Sequence, residues 1–523
     1  MSQIEAKANP RRRSRGPRKP PRSNIPGANP WLEVPYITRK VPTYDILGEE
    51  SLARIEATAD RILAEIGMEF REDPETVELF RRAGGEVRQI GPEASNIRFE
   101  PGLIRQLCTT APGRFRQAAR NPARSVEIGG DAMVFAPAYG SPFILDSEGN
   151  RRYATLDDFQ SLVKLGQSSP WLHHSGGTIC EPTDIPVNKR HLDMVYSHIR
   201  FSDKPFLGSI TAPERAADSI EMCRILFGAD FVDRNCVIMG NFNTTSPLVL
   251  DGVTTRGIRT YAAAGQGSIH LPFLLGGAVT PVTMAGSCAQ SLAESMVGVA
   301  LTQLVRPGAP ALLAAFLSSL DLRSGSPTFG TPEPALGSLV MGQLARRMNL
   351  PLRCSGNFST SKLPDAQAMS QSMMSMMAAA QCGANYILHA AGFLDGLLSM
   401  SYEKFVMDCD LAGALHVYLR GLEVSDETLA FDALAEGGPG MHLFGTEHTL
   451  RHYETAYYDS ALSDYTPWET WDDNGRNGAM ARATARWQST LEHYEPPHLD
   501  EAIDEALLAF IAQKKEAMPD AWH

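Results

Sequence analysis

Side chains able to bind, polarise or attack are unevenly spread along this chain. They gather in His173, His174 and Glu181, and in the run Gly240-Asn241-Phe242-Asn243-Thr244-Thr245-Ser246-Pro247. Further groups are Ser318, Ser319 and Asp321 with Phe329-Gly330-Thr331-Pro332-Glu333, then Ser355 to Gln367, then His389 to Asp395. Asn, Ser, Thr and aromatic residues dominate these stretches, and lysines are few. Such a set suits holding and orienting a ligand better than passing protons. The chain has no G-x-S-x-G nucleophile elbow, no H-E-x-x-H pair and no Walker phosphate loop. The pair His173-His174 lacks a third ligand at fixed spacing, so a satisfied core or loop role is favoured over a zinc role. His448 and His452 fall on one helix face with no local carboxylate motif, and no resident metal ion is expected.

The elements that must position these residues follow a repeating rhythm. Short apolar strands are predicted at Leu172–Gly177, Pro205–Ile210, Cys236–Asn241, Pro272–Gly276, Ala311–Phe316, Leu352–Gly356 and Tyr386–Ala390. Helical periodicity fills the intervals, at His191–Arg200, Ala216–Phe227, Leu250–Ala264, Cys288–Val305, Glu333–Met348, Gln367–Cys382 and Tyr402–Leu422. Strand–helix alternation with short links implies parallel strands joined by right-handed crossovers. Seven clear units and a vaguer eighth predict a (β/α)8 TIM barrel over residues 156–445, whose chemistry would lie where strands run into the following loops. Each chemical stretch above follows a predicted strand. Residues 1–30, rich in Pro, Arg and Lys, read as a disordered basic arm. Residues 31–155 read as an α+β cap that is helical up to about Arg120. Residues 446–523 read as a helical C-terminal extension rich in Trp, Tyr and His, able to supply a subunit contact in a homo-oligomer.

Bulk properties narrow the function. The 523 residues are 43% hydrophobic and 21% charged, ordinary values for a globular protein, and the net charge is −12. An acidic chain is a poor partner for nucleic acid. The most apolar helical stretch, Met284 to Val305, is broken by Ser287, Gln290, Glu294 and Gln303, which makes it a buried helix rather than a membrane span. The N-terminus has no secretory apolar region, and none of the eight cysteines forms C-x-x-C. A cytoplasmic protein with reduced, mostly buried thiols is expected.

The run Ser359-Thr360-Ser361-Lys362-Leu363-Pro364-Asp365-Ala366-Gln367-Ala368 resembles the S-K-x-P-D-x-Q-A segment of the trimethylamine methyltransferase family. Gly383-Ala384-Asn385-Tyr386 through Gly396 resembles the next family block. Gly330-Thr331-Pro332-Glu333, Thr244-Thr245-Ser246-Pro247-Leu248 and Phe444-Gly445-Thr446-Glu447-His448-Thr449 are also similar, and the blocks keep family order from about residue 45 to 515. Members that use pyrrolysine carry it just before the S-K-x-P-D-x-Q run, where this chain has Ser355-Gly356-Asn357-Phe358, with Asn357 at or next to that position. The resemblance is therefore to the non-pyrrolysine branch. It implies removal of a methyl group from glycine betaine or a related quaternary amine and its transfer to the cobalt of a corrinoid on a separate protein. No D-x-H-x-x-G cobalamin motif occurs in the chain. Direct transfer to tetrahydrofolate and a non-catalytic betaine-binding role are the alternatives.

The chemistry agrees with that branch. A quaternary ammonium leaves as a neutral amine, so it needs orientation and dryness rather than acid–base help. It is held by aromatic faces or a nearby carboxylate. Phe242, Phe329, Phe358, Phe393 and Tyr139 are the candidate faces, and Glu333 the candidate charge. Arg353 or His389 would pair with a substrate carboxylate. Strand alternation puts Arg353, Ser355 and Asn357 on one side. Asn243, Glu333 and Asn357 form the polar strand-end set, with Asn357 and Glu333 expected in catalytic roles.

Overall fold

The computed structural model describes residues 34–522, so the basic arm lies outside the described residues. Its centre is a curled sheet of seven parallel strands: β1 (Ala132–Phe135), β2 (Phe206–Leu207), β3 (Ile238–Thr244), β4 (Gly267–Pro272), β5 (Ala311–Ala314), β6 (Leu352–Ser355) and β7 (Tyr386–Leu388). Their order across the sheet is β2-β3-β4-β5-β6-β7-β1, so chain neighbours from β2 to β7 are also sheet neighbours. Residues 173–176 bridge the two ends. His173 N donates to Phe135 O at 2.9 Å, Ser175 N donates to Pro205 O at 2.8 Å, and Leu207 N donates to Gly176 O at 2.7 Å.

Helices occupy the intervals: α1 (Leu156–Ser168), α2 (Arg190–Phe201), α3 (Pro213–Phe227), α4 (Gly252–Ala263), α5 (Met284–Val305), α6 (Pro332–Arg347), α7 (Ala366–Gln381) and α8 (Tyr402–Leu419). Their starts are set locally. Thr155 and Asp158 form a capping box at α1, while Asp251, Asp365 and Ser401 cap α4, α7 and α8 by accepting from backbone N–H groups. The long α5 is buried on most of its circumference, between β4, β5 and the flanking helices. No helix among the described residues is long and apolar enough to cross a membrane.

Three expectations are corrected. The strand β1 belongs to the main sheet, pairing in parallel with β7 through Tyr386↔Val134, so a division at residue 155 does not follow the hydrogen bonding. The fourth parallel strand is Gly267–Pro272 rather than Pro272–Gly276. Its polar Ser268 and His270 point at the helices, where Thr302 Oγ1 satisfies both. Finally, the segment up to Arg120 is not wholly helical: Met68–Arg71, Glu86–Gly91 and Ala94–Arg98 pair as an antiparallel sheet. Beyond α8 the chain forms short helices, then Ala479–Glu492 and Glu501–Glu516, which rest on α8 and α1 and on α3 and α2 respectively.

Candidate active site

Residues paired directly across strands share a sheet face. The registers Ala314↔Arg353, Arg353↔Tyr386 and Tyr386↔Val134 therefore put these four on one face. Asn241↔Ile269↔Leu312 joins them, because Leu312 and Ala314 are two residues apart. The opposite face, Phe242↔His270↔Leu313, looks at the helices.

Arg353 lies at the heart of the first face with no exposed surface. Its Nη1 donates to Ser355 Oγ at 2.8 Å, Nη2 lies 3.3 and 3.5 Å from the two ring nitrogens of His389, and Nε has no protein partner. Among the described residues no carboxylate pairs with it; the nearby ionisable groups are Cys354 and Tyr386. Burial pushes its pKa down only to about 10, so it remains a cation at neutral pH. A buried cation without a counter-ion costs several kcal/mol, a cost that an incoming anion would offset.

Around the guanidinium stand aromatic rings from the loops after β5, β6 and β7. Arg353 Cζ is 5.4 Å from the centroid of Phe316. Phe316 and Phe358 lie 5.1 Å apart, Phe358 and His389 4.9 Å, His389 and Phe393 4.9 Å, and Phe329 and Phe358 4.8 Å. All five rings are buried. His389 holds a left-handed backbone, φ 66°, a strained state that surrounding contacts must maintain. Burial first, then the charge of Arg353, hold its imidazole well below the ordinary histidine pKa, hence neutral.

Two amide oxygens complete the chemistry. Asn357 donates from Nδ2 to Ala390 O at 2.6 Å, which leaves its Oδ1 buried without a protein partner; Asn241 Oδ1, on β3, is in the same state. Asp408 on α8 anchors the loop after β7, accepting from Gly392 N at 2.9 Å and pairing with buried Lys404. The site thus combines one buried cation with aromatic faces and orphan acceptors.

The structure brings together Asn357, Arg353, Phe358, Phe329, Phe393 and His389 of the expected set. Phe242 faces the other way, 5.5 Å from Tyr261 of α4, because its strand neighbour Asn241 takes the inward position. Asn243 is exposed at the end of β3, and Glu333 is exposed in the first turn of α6. Tyr139 is half-buried; a Cβ on Gly177 would meet both its ring and Leu207, which places it on the β2 side, and burial pushes its phenol up to about 12. Sequence reasoning missed Phe316 and passed over Asn241 for Asn243. The signal for both lies in the cross-strand register: Phe316 is two residues beyond the partner of Arg353, and Asn241 is two before Asn243 on the same face. The pair His173-His174 is core: Phe135 N donates to His173 Nδ1 at 3.0 Å, and His174 meets Gln117 and Tyr386 at 3.2 and 3.1 Å.

With this geometry in place, known proteins give a consistent picture. Residues 11–519 match the family described as trimethylamine methyltransferase. A glycine betaine methyltransferase of Desulfitobacterium hafniense is 40% identical over 475 residues, 91% of this chain and 98% of that protein. A proline betaine:corrinoid methyltransferase of Eubacterium limosum is 26% identical, over 87% of this chain and 95% of its own. The crystal structure of the Methanosarcina barkeri monomethylamine methyltransferase has the same overall fold at TM-score 0.50 and 11% identity, covering 87% of this chain and 90% of its own. The chain belongs to the trimethylamine methyltransferase family.

Proposed function

We propose that this methyltransferase removes one methyl group from a carboxylated quaternary amine, glycine betaine or a related betaine, and passes it to the cobalt of a corrinoid carried by a separate protein. The observation that carries the reading is Arg353: a wholly buried guanidinium with an aromatic enclosure and, among the described residues, no acidic partner and no acceptor for its Nε–H. A betaine carboxylate would take the guanidinium, in a bidentate pair if Nε–H and Nη2 are both offered. Its trimethylammonium would then lie among Phe316, Phe358 and Phe393, each ring face worth about 0.5–2 kcal/mol. Asn241 and Asn357 would turn their orphan oxygens towards the positive charge. Two of the relatives act on betaines by name, which supports the same choice.

The N–CH3 bond breaks with its electron pair going to nitrogen, giving a neutral tertiary amine, so no proton moves at the site. A reduced corrinoid, when presented, supplies the cobalt(I) nucleophile that takes the methyl group. This chain's residues fix the substrate's orientation and exclude water. Its strand-end loops also present exposed apolar side chains, Val282, Leu322, Leu363 and Leu398, which suit a docking protein better than bulk water. The hydrogen bonds of residues 173–176 to β1 and β2 support an eight-stranded (β/α) barrel in which that segment is the eighth strand. Pairing of copies through exposed Phe431, Phe444, Tyr457 and Trp468 would give the homo-oligomer.

The test is methyl transfer by purified protein to cob(I)alamin, with a panel of betaines beside trimethylamine and with tetrahydrofolate as the competing acceptor. Betaine demethylation that requires cob(I)alamin is expected. Activity on trimethylamine alone, or transfer to tetrahydrofolate without cobalamin, would overturn the reading.

A further inference from the structure

Beyond α8, two short helices come together that are separate in sequence: Asp426–Leu429, capped by Ser425, and Glu447–His452, capped by Thr446. His448 and His452 are four residues apart and so share a face of the second helix, with ring centroids 4.5 Å apart. Both imidazoles turn towards Glu427 on the first helix. His452 Nε2 is 2.7 Å from Glu427 Oε1, and His448 Nε2 is 3.1 Å from the Glu427 carbonyl oxygen. One ligand atom from each of the three side chains lies within 4.8 Å of the other two.

We propose that Glu427, His448 and His452 bind a divalent transition-metal ion of the zinc class, which staples these two helices together. Two histidines at helical i,i+4 spacing reach one ion from a single face, and a carboxylate from elsewhere in the fold makes the third ligand. Zinc takes such a set of two imidazoles and one carboxylate with bonds of about 2.0–2.1 Å and keeps a fourth position for water. Tetrahedral ligand atoms at that bond length stand roughly 3.4 Å apart, so small side-chain rotations close the present spacing. The ion would replace the proton now shared by His452 and Glu427. Arg451, exposed and 3.1 Å from the same carboxylate oxygen, would swing into solvent. The staple would brace the intervening segment 430–446, whose Phe431, Leu434, Met441 and Phe444 side chains are exposed.

Tag-free full-length protein, stripped with chelator and dialysed, should take up one equivalent of zinc by elemental analysis and calorimetry. Cobalt(II) should give the intense visible absorption of a tetrahedral site. Glu427→Gln, which keeps the size of the side chain, and His452→Gln should each lose that equivalent or bind it more than about tenfold more weakly. His442→Gln with His493→Gln, elsewhere on the surface, should keep it. Zinc should also slow proteolysis between residues 430 and 446. No zinc or cobalt uptake by the wild type, or equal uptake by the Glu427→Gln/His452→Gln double variant, would overturn the assignment.

Discussion

Replacing Arg353 with methionine separates a ligand-binding role from a structural one. Methionine keeps most of the side chain's length and volume but removes the charge. In the wild type the guanidinium has hydrogen bonds to Ser355 and His389 but, among the described residues, neither a counter-ion nor a hydrogen-bond partner for Nε. Two charge-assisted hydrogen bonds to a betaine carboxylate, at roughly 1.5–3 kcal/mol each, give a loss near 3–6 kcal/mol. That is about two to four powers of ten in Kd. The fold loses two hydrogen bonds from a charged donor, about 1.5–3 kcal/mol each, but is relieved of an unpaired buried cation that costs several kcal/mol, so the two effects nearly cancel. Arg353→Met should therefore melt close to the wild type while betaine binding collapses. Calorimetry with glycine betaine, paired with thermal melts with and without ligand, reads both quantities. Betaine affinity within threefold of wild type, together with a large drop in melting temperature, would refute the reasoning, because Arg353 would then be a structural cation.

Three further outcomes are expected. Phe358→Leu should weaken betaine binding by about 0.5–2 kcal/mol, roughly 2- to 30-fold, yet leave 3,3-dimethylbutyrate, the carbon isostere that keeps the carboxylate but lacks the cationic nitrogen, nearly unaffected in competition calorimetry. Asp408→Asn leaves Lys404 buried without its counter-ion and should cost about 3–5 kcal/mol in denaturant unfolding. Stability should fall as pH drops below about 6.5, checked by melts from pH 8 to 4. Burial lowers the pKa of His198 and His416 to about 4 and of His270 to about 3, and depresses His173, His174 and His389 as well. In that window the unfolded chain binds more protons than the folded one, so stability rises with pH. Asp408, raised to about 6, and Glu294, also raised by burial, act in the opposite sense but are outnumbered.

Most of the scaffold was legible in the sequence because its helices carry strong signals. The predicted helix His191–Arg200 is α2 to within a residue at each end, and Gln367–Cys382 is α7 shifted by one. Strands were less legible where polar residues interrupt the apolar run. Ser268 and His270 disguised β4 because their partners on α5 are invisible locally. In the N-terminal segment nothing local showed that Met68–Arg71 and Ala94–Arg98 pair with each other, with Phe80 of the intervening helix Pro74–Arg82 packed between Phe70 and Phe99. For the site, alternation placed Arg353, Ser355 and Asn357 on one face, and the Arg353–Ser355 hydrogen bond follows from it. What a single strand cannot reveal is which way its neighbours face. Phe242 was chosen by position at a strand end, whereas its orientation is set by the cross-strand register to β4; Asn243 has the right face but lies exposed at the end of the strand.

The same buried guanidinium works by repulsion as well as attraction. Four titratable groups around Arg353 and Tyr386 are kept uncharged by burial: His389 and His174 as neutral imidazoles, Tyr386 and Tyr139 as protonated phenols. At neutral pH Arg353 is then the one charge among these groups, and none of them titrates near pH 7 as a general acid or base would. A reaction needing proton transfer would be poorly served here, whereas release of a neutral amine from a charged nitrogen needs none. A cation lacking a carboxylate, such as choline or protonated trimethylamine, would enter this aromatic enclosure against Arg353. At a separation of ~6 Å and an effective dielectric constant of ~20, that repulsion is about 3 kcal/mol, more than one aromatic face returns. In a zwitterion the carboxylate, held against the guanidinium, is nearer than the ammonium, so its attraction outweighs that repulsion. Discrimination between betaine and choline should therefore exceed the strength of either aromatic or polar contact taken alone, because one fixed charge contributes with opposite sign to the two ligands.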